Sequence, residues 1–251
     1  MKTRRFFLSA VLLSAVAFTF TSCSELAKKM AMKAVNESTE FEKDTVQWGR
    51  VLEQDLDLPT FTAIDAKGAV RIVFTQDSIF SVRARGNEKC LQAYQFEVRK
   101  DELKVQAKDA ASRNNVNKHT PAVTLFISAP SLSDIEIAGA GKLEFTGTII
   151  QDGSLDIEMA GAGDVSIEDL TAESLNIEFS GAGKCNIAKA TAREDIEIEV
   201  NGAGDVNANV FCQDLTVELN GAGNAVVSGK CKSFVYEENG ASKIDFSNLN
   251  R

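Results

Sequence analysis

Residues 155–167 read Leu-Asp-Ile-Glu-Met-Ala-Gly-Ala-Gly-Asp-Val-Ser-Ile, and the Gly-Ala-Gly at their centre recurs throughout the second half of the chain. The copies, of which the last has serine in place of the second glycine, begin at Gly139, Gly161, Gly181, Gly202, Gly221 and Gly240. These first glycines are 22, 20, 21, 19 and 19 residues apart. A period near twenty that runs through half of a protein is typical of a solenoid.

Apolar and polar residues alternate strictly before each Gly-Ala-Gly. In residues 155–159 the apolar side chains occupy every second position, with Asp156 and Glu158 between them. This pattern predicts a strand with one apolar face, and Val165 and Ile167 indicate a second strand after the glycines. A unit of this length cannot bury its own apolar face, so we expect units stacked ~4.8 Å apart. The sequence therefore predicts an all-β fold, a right-handed parallel β-helix with positive φ at its glycine corners.

Stacking the units in register would align outward side chains in two columns. The candidate binding stripe lies three residues before the first glycines and consists of Glu136, Glu158, Glu178, Glu199 and Glu218. The candidate corner ladder follows the Gly-Ala-Gly and consists of Lys142, Asp164, Lys184, Asp205 and Asn224. In the corner ladder the signs largely alternate, which suits contacts between neighbouring units. Both columns are typical of a solvated face that keeps a solenoid soluble, and a stripe that binds cations or glycans is the functional alternative.

The first residues resemble a bacterial lipoprotein signal peptide, which we place at residues 1–22. A basic start precedes an apolar stretch over residues 6–20 that is short for a membrane span. The ending Phe20-Thr21-Ser22-Cys23 resembles a lipobox, and this resemblance implies lipidation of Cys23 and anchoring without a span. By resemblance to enterobacterial lipoprotein sorting, Ser24 after the cysteine implies the outer membrane. An ordinary signal peptide with a chance cysteine is the alternative.

The rest of the chain divides by pattern into a tether and one domain. Residues 23–57 show no β pattern, and we place the lipidated tether there. A single β-helix domain is expected over residues 58–251. Its irregular early coils, at residues 58–130, would cover one open end of the stack, and residues 131–251 would form the regular repeats and a polar carboxyl-terminal cap. A separate small domain in place of the early coils is the alternative.

Local signals within the early coils predict three further elements. They are a helical turn in residues 87–95, a hairpin over residues 96–108 and an exposed polar loop over residues 109–120. The loop contains His119, which is the single histidine of the chain. No Ser-His-Asp or Cys-His set can be built without it, so we predict no catalytic residue.

Composition and spacing exclude several other functions. The net charge is −9 at pH 7, which argues against a nucleic-acid partner. The glycines recur without a following helix, so they are not a dinucleotide-binding fingerprint. The cysteines show no metal-type spacing, and we predict neither a cofactor nor a metal. Cys212 and Cys231 would stack on adjacent units, so they could form a disulfide, and two stacked buried thiols are the alternative.

Together these features resemble the auto-transporter adhesin, head GIN domain family. The resemblance rests on the lipobox, on the runs Phe61 to Ile72 and Val123 to Leu132, and on the repeated units, and it covers about residues 58–247. It implies an exported, often lipid-anchored β-helical protein of bacteria with a Bacteroidetes-like envelope. The family defines no catalytic residues. This chain departs from the pattern at its first corner, where Lys67-Gly68-Ala69-Val70 lacks the second glycine.

We therefore expect a lipid-anchored, exported, adhesin-like binding protein of the outer membrane. Its candidate partners are the membrane through Cys23 and either a glycan or an envelope or host protein, and a homodimer is a candidate assembly. A polysaccharide lyase or hydrolase is one alternative, since β-helices also carry such enzymes. A glycosidase needs two carboxylates in unequal environments, however, and repeated glutamates do not supply that asymmetry. An envelope scaffold without a ligand is the other alternative.

Overall fold

A computed structural model describes residues 49–108 and 122–251 of the chain. The secondary structure of these described residues consists almost entirely of strands, with one short helix. The elements are β1 (Val51–Asp55), β2 (Ala63–Gln76), β3 (Ser81–Asn87), α1 (Glu88–Ala93), β4 (Tyr94–Arg99), β5 (Glu102–Ala107), β6 (Val123–Ala129), β7 (Asp134–Ile150), β8 (Leu155–Ala172), β9 (Leu175–Ala192), β10 (Asp195–Phe211), β11 (Asp214–Lys230) and β12 (Ser233–Asn250).

Strands β7 to β12 are the six sequence repeats, stacked parallel in the order of the chain. Equivalent residues face each other, so that Gly161 lies between Gly139 and Gly181 of the neighbouring rungs. The predicted parallel β-solenoid is confirmed, and its handedness stays a prediction. Each rung is one continuous strand of 17 or 18 residues that bends through the Gly-Ala-Gly, rather than two separate strands.

The core is a set of apolar columns inside the coil. In β8 the buried hydrophobic side chains are Leu155, Ile157, Met159, Val165, Ile167, Leu170 and Ala172. The in–out alternation changes phase between Ile167 and Leu170, where the ladder with β7 shifts register. Each rung therefore has three short sides, one before the glycines and two after them. Burying a large aliphatic side chain contributes about 1.5–3 kcal/mol, and neighbouring rungs provide that burial for each other.

Glycine is needed at the corner because the backbones of successive rungs touch there. Gly139 has a φ of 130°, a conformation that L-residues rarely adopt. A Cβ atom on Gly139 would lie 2.6 Å from the carbonyl oxygen of Gly68 on the preceding rung. The repeated glycines are thus explained by stacking alone, without a ligand.

At the amino-terminal end of the stack, the order of the strands in the sheet differs from their order in the chain. β2 pairs with β7 in register, with Gly68 opposite Gly139, which confirms it as a degenerate copy of the repeat. The hydroxyl of Tyr94 bonds to both the N–H and the carbonyl of Ala69 at that irregular corner, at 3.0 and 3.3 Å. Tyr94 therefore holds the corner of β2, where Val70 stands in place of the second glycine.

Short strands cover the edge of β2 that faces away from β7. β5 and β6 run parallel to its two halves and act as a split rung. Antiparallel strands complete the cover, with β3 beside β6, β1 beside β3 and β4 beside β5. The predicted helical turn is confirmed as α1, and the hairpin as β4–β5, whose turn has positive φ at Lys100 and Asp101.

The structure adds detail at two predicted boundaries. Residues 51–55, placed in the tether, form β1, because they pair with the distant strand β3. Residues 247–250, predicted as part of a polar cap, belong to β12 and continue its pairing with β11. The predicted signal peptide, Cys23, most of the tether and the loop at residues 109–120 lie outside the described residues.

Candidate functional site

The predicted binding stripe is a continuous column in the structure. Glu136, Glu158, Glu178, Glu199 and Glu218 occupy equivalent positions on five successive rungs. Asp65 of β2 and Glu237 of β12 extend the column at its two ends. The result is a line of carboxylates, one per rung, along the side of the solenoid before the glycines.

The stacked carboxylates repel one another. Partial burial raises the pKa of Glu158, and the charges of Glu136 and Glu178 raise it further. Burial likewise raises the pKa of Glu218, with Glu199 and Glu237 as its charged neighbours. At a rung spacing of ~4.8 Å each such pair costs about 1 kcal/mol in water. Both pKa values move in the same direction for the same causes, burial and neighbouring glutamates, so they do not indicate an acid and a base with separate roles.

The amino-terminal end of the column is neutralised by lysines. The buried carboxylate of Asp65 accepts hydrogen bonds from Lys67 at 3.0 Å and from Lys104 at 3.2 Å. Burial alone would raise the pKa of Asp65, but the two lysines outweigh burial and hold it below its usual value. The column therefore carries its unpaired negative charge on the regular rungs.

A row of small polar side chains beside the column was missed by the sequence analysis. Asn201 donates to Glu199 at 2.7 Å, and Ser180 donates to Glu178 at 3.1 Å. Asn220 bonds to Asn201 in turn at 3.1 Å, so amides link adjacent rungs. The signal was present in the sequence, because asparagine directly precedes the first glycine in each of the last three repeats.

The corner ladder borders a groove, which we call the corner groove. It has a volume of about 790 Å³ and runs over the Gly-Ala-Gly corners along the stack. Exposed alanines form its floor, namely Ala140, Ala162, Ala182, Ala203 and Ala222. Charged side chains line it as well, namely Arg71, Lys142, Asp164, Lys184 and Asp205. Four of the five predicted ladder residues are therefore brought together at one surface.

The ladder does not work through ion pairs between rungs. Asp164 accepts a hydrogen bond from the backbone N–H of Lys184 at 3.1 Å, and Asp205 accepts one from Asn224 at 3.3 Å. Lys142 pairs instead with Glu144 at 2.6 Å. The aspartates thus satisfy backbone donors at the corner, which is a structural role.

A second depression lies on the far side of the ladder. It is lined by Asn186, Asn207 and Val226 and has a volume of about 630 Å³. Lys184 and Asp205 line both depressions and so form a ridge between them. Asn224, the fifth ladder residue, lines only this second depression.

The comparison with protein families identifies this architecture. Residues 60–193 and 177–251 match the family described as "Putative auto-transporter adhesin, head GIN domain". The chain belongs to this family.

Solved structures are similar to this head GIN domain. A putative adhesin from Bacteroides fragilis is 18% identical, with 78% of this chain and 97% of that chain covered and a TM-score of 0.55. A putative adhesin from Parabacteroides distasonis is 14% identical over 78% of this chain and 97% of its own, with a TM-score of 0.47. No curated protein matches the chain.

We also searched the described part of the head GIN domain for metal sites, reactive thiols and membrane-spanning helices. No group of three or more His, Cys, Asp or Glu side chains there could hold a metal ion. Cys212 and Cys231 are free thiols, and burial raises the pKa of Cys212 to about 12. Residues 49–108 and 122–251 contain no helix with the length and apolar character needed to cross a bilayer.

Proposed function

We propose that this head GIN domain protein is an exported, lipid-anchored adhesin that holds an elongated partner along its corner groove. The observation that carries this proposal is the groove itself, which repeats the same floor over five rungs. A partner with a regular repeat could make the same contacts on rung after rung. Many weak contacts then add up by effective concentration, as in other multivalent binding.

The alanine floor supports a binding role because stacking does not demand it. The side chain of Ala182 is exposed, and no alanine among the described residues has a positive φ. The backbone would therefore accept a larger or more polar residue at this position. Alanine keeps the groove open, whereas a soluble face without a ligand would be expected to vary here.

The walls indicate the chemistry of the partner. Lys184 and Asp205 project beside the floor, so donors and acceptors for hydroxyl or amide groups are both present. We propose that the partner is a linear glycan. The experiment must distinguish it from an extended segment of an envelope or host protein. The glutamate column provides a second line of polar contacts on the neighbouring side of the rungs.

The location completes the proposal. The lipobox resemblance at Cys23 and the family membership support export and anchoring of the lipidated chain at the outer membrane. The adhesin family and the equivalent positions of the glutamates on the regular rungs support binding without catalysis.

Glycan-array binding by the mature chain with Cys23→Ser, followed by product analysis of every glycan that binds, tests this function. We expect binding to linear glycans with each glycan recovered intact. Cleavage products would replace the adhesin proposal with a polysaccharide-active enzyme. If no glycan binds, the proposal of a glycan partner is wrong, and an extended protein segment becomes the proposed partner.

A further inference from the structure

The carboxyl-terminal end of the solenoid differs from the amino-terminal end. β12 is the last strand in the sheet order, and no described residue pairs with its outer edge. This edge is 18 residues long, whereas the edge strands at the other end, β1 and β4, have five and six residues. A long unpaired strand is a template for pairing with another chain.

The edge also carries apolar surface without a cover. Phe234, Tyr236 and Phe246 contact one another, with ring centroids 5.1–5.3 Å apart. Tyr236 nevertheless remains 47% exposed. On the preceding rung Val217 occupies the position of Tyr236 and is fully buried, because the next rung covers it.

We propose that a second copy of this chain covers the edge, so that two β12 strands pair antiparallel about a two-fold axis at Gly240. A two-fold interface joins the same patch on both copies. Among the edges that the structure describes, only another β12 matches β12 in length. Neither β1 nor β4 at the opposite end of a second copy could pair with more than six of the 18 residues of this edge.

Charge selects the register of this pairing. An axis at Gly240 places Glu237 of each copy opposite Lys243 of the other, which gives two ion pairs by symmetry. The same register places Tyr236 opposite Ile244, so apolar side chains meet on the core side. An axis at Ala241 would instead place Glu237 opposite Asp245, and like charges directly opposite each other are destabilising.

One copy can also cover its own edge, and this competes with pairing. The carboxylate of Glu238 accepts a hydrogen bond from the N–H of Ile244 at 2.6 Å. The Arg251 guanidinium lies 5.2 Å from the ring centroid of Phe234. In the dimer the N–H of Ile244 would pass from Glu238 to the carbonyl of Tyr236 in the second copy. A monomer closed by Glu238 and Arg251 is the alternative that the experiment must exclude.

The proposal predicts an elongated particle. Ten strands follow one another in the main path of the sheet, which at ~4.8 Å per step spans about 43 Å. β1 and β12 lie at opposite ends of this path. The two-fold axis would therefore roughly double the length and place residue 49 of the two copies at the far ends.

Sedimentation equilibrium and small-angle scattering of the mature chain with Cys23→Ser test the proposal. We expect a dimer with about twice the length of the monomer. The single variants Glu237→Lys and Lys243→Glu should each raise the dissociation constant by about tenfold or more. The double variant should restore the dissociation constant to within about threefold, because the ion pairs re-form with reversed charges.

Lys184→Glu is the matched control, since it makes the same charge change at the equivalent position of β9 and should leave the dimer unchanged. A monomer at every concentration would overturn the proposal in favour of self-closure. A compact dimer, or one indifferent to all three edge variants, would overturn it by placing the interface elsewhere. Circular dichroism checks the fold of each variant, and the wild-type scattering decides the question if a variant unfolds. The result does not depend on the corner groove.

Discussion

Gly139→Ala should destabilise the solenoid far more than alanine at two other glycines nearby. Gly139 has a φ of 130°, and its Cβ would lie 2.6 Å from the Gly68 carbonyl oxygen. Gly147 on the same rung also has a positive φ, 76°, but an added Cβ meets no atom within 4 Å. Gly153 in the following turn has neither constraint. The three positions thus separate backbone conformation from rung contact.

The expected sizes come from these two effects. Alanine in a left-handed conformation costs about 1–2 kcal/mol, which we assign to Gly147→Ala. Relieving the contact at Gly139 requires β2 and β7 to separate locally by about 0.8 Å, which weakens the flanking ladder hydrogen bonds. At about 0.5–1.5 kcal/mol per bond, two weakened bonds bring the total for Gly139→Ala to about 2–5 kcal/mol. Gly153→Ala should be neutral or stabilise by up to about 1 kcal/mol, since it restricts the unfolded chain.

Thermal unfolding followed by circular dichroism measures the series. For a domain of this size about 3 kcal/mol lowers the midpoint by about 6–12 °C. Urea titrations provide a second measurement of the free energy of unfolding. An unchanged dependence of that free energy on urea concentration shows that a variant changes stability and not the surface exposed on unfolding. A Gly139→Ala variant as stable as Gly147→Ala would refute the claim that rung contact fixes glycine at the corner.

Further predictions concern the anchor, the glutamate column and the corner ladder. Cys23→Ala should move the protein from the detergent phase to the aqueous phase and remove the acyl mass from intact-protein spectra. Glu158→Gln should raise the thermal midpoint at neutral pH, because the raised pKa of Glu158 means that its charged form destabilises the folded state. That gain should disappear below about pH 4, where the carboxyl is protonated in both states, and shrink at about 1 M salt. Asp205→Ala should lower the free energy of unfolding by about 1 kcal/mol through loss of the bond to Asn224, whereas Lys184→Ala should change it by less than about 0.5 kcal/mol.

The regular half of the fold could be predicted because its information is local and repeated. The apolar positions around Ile157 and Val165 alternate with a period of two, and the glycine spacing gives the rung length. Each repeat therefore reports the same register independently. The in-register ladders and buried columns follow from these two observations.

The rest depended on contacts between distant segments. Val51 to Asp55 has no alternation of its own and becomes a strand only through β3. β2 lies between β6 and β7, an order that no pattern in the early coils reveals. The continuation of β12 through residue 250 was likewise hidden, because its polar residues look like a cap until β11 is seen beside them.

The candidate site was predicted only as columns of residue types. The sequence predicted that the glutamates and the corner ladder each form a line. The alternating signs of the ladder suggested contacts between charged side chains of neighbouring rungs, but its aspartates bond to backbone N–H groups instead. Asp164 bonds to a backbone N–H, a partner that depends on the bend of the corner. The corner groove was not predicted, because its depth depends on that same bend and on the exposure of alanines such as Ala182.

The most direct test of the binding account is a titration of the strongest array glycan against Ala182→Trp and Ala188→Trp. Ala182 lies on the floor of the corner groove, whereas Ala188 is exposed on the same rung outside it. We predict that Ala182→Trp weakens binding at least about tenfold, while Ala188→Trp binds like the wild type and both variants keep the wild-type thermal midpoint. Equal binding by the two variants would contradict the claim that the corner groove holds the partner.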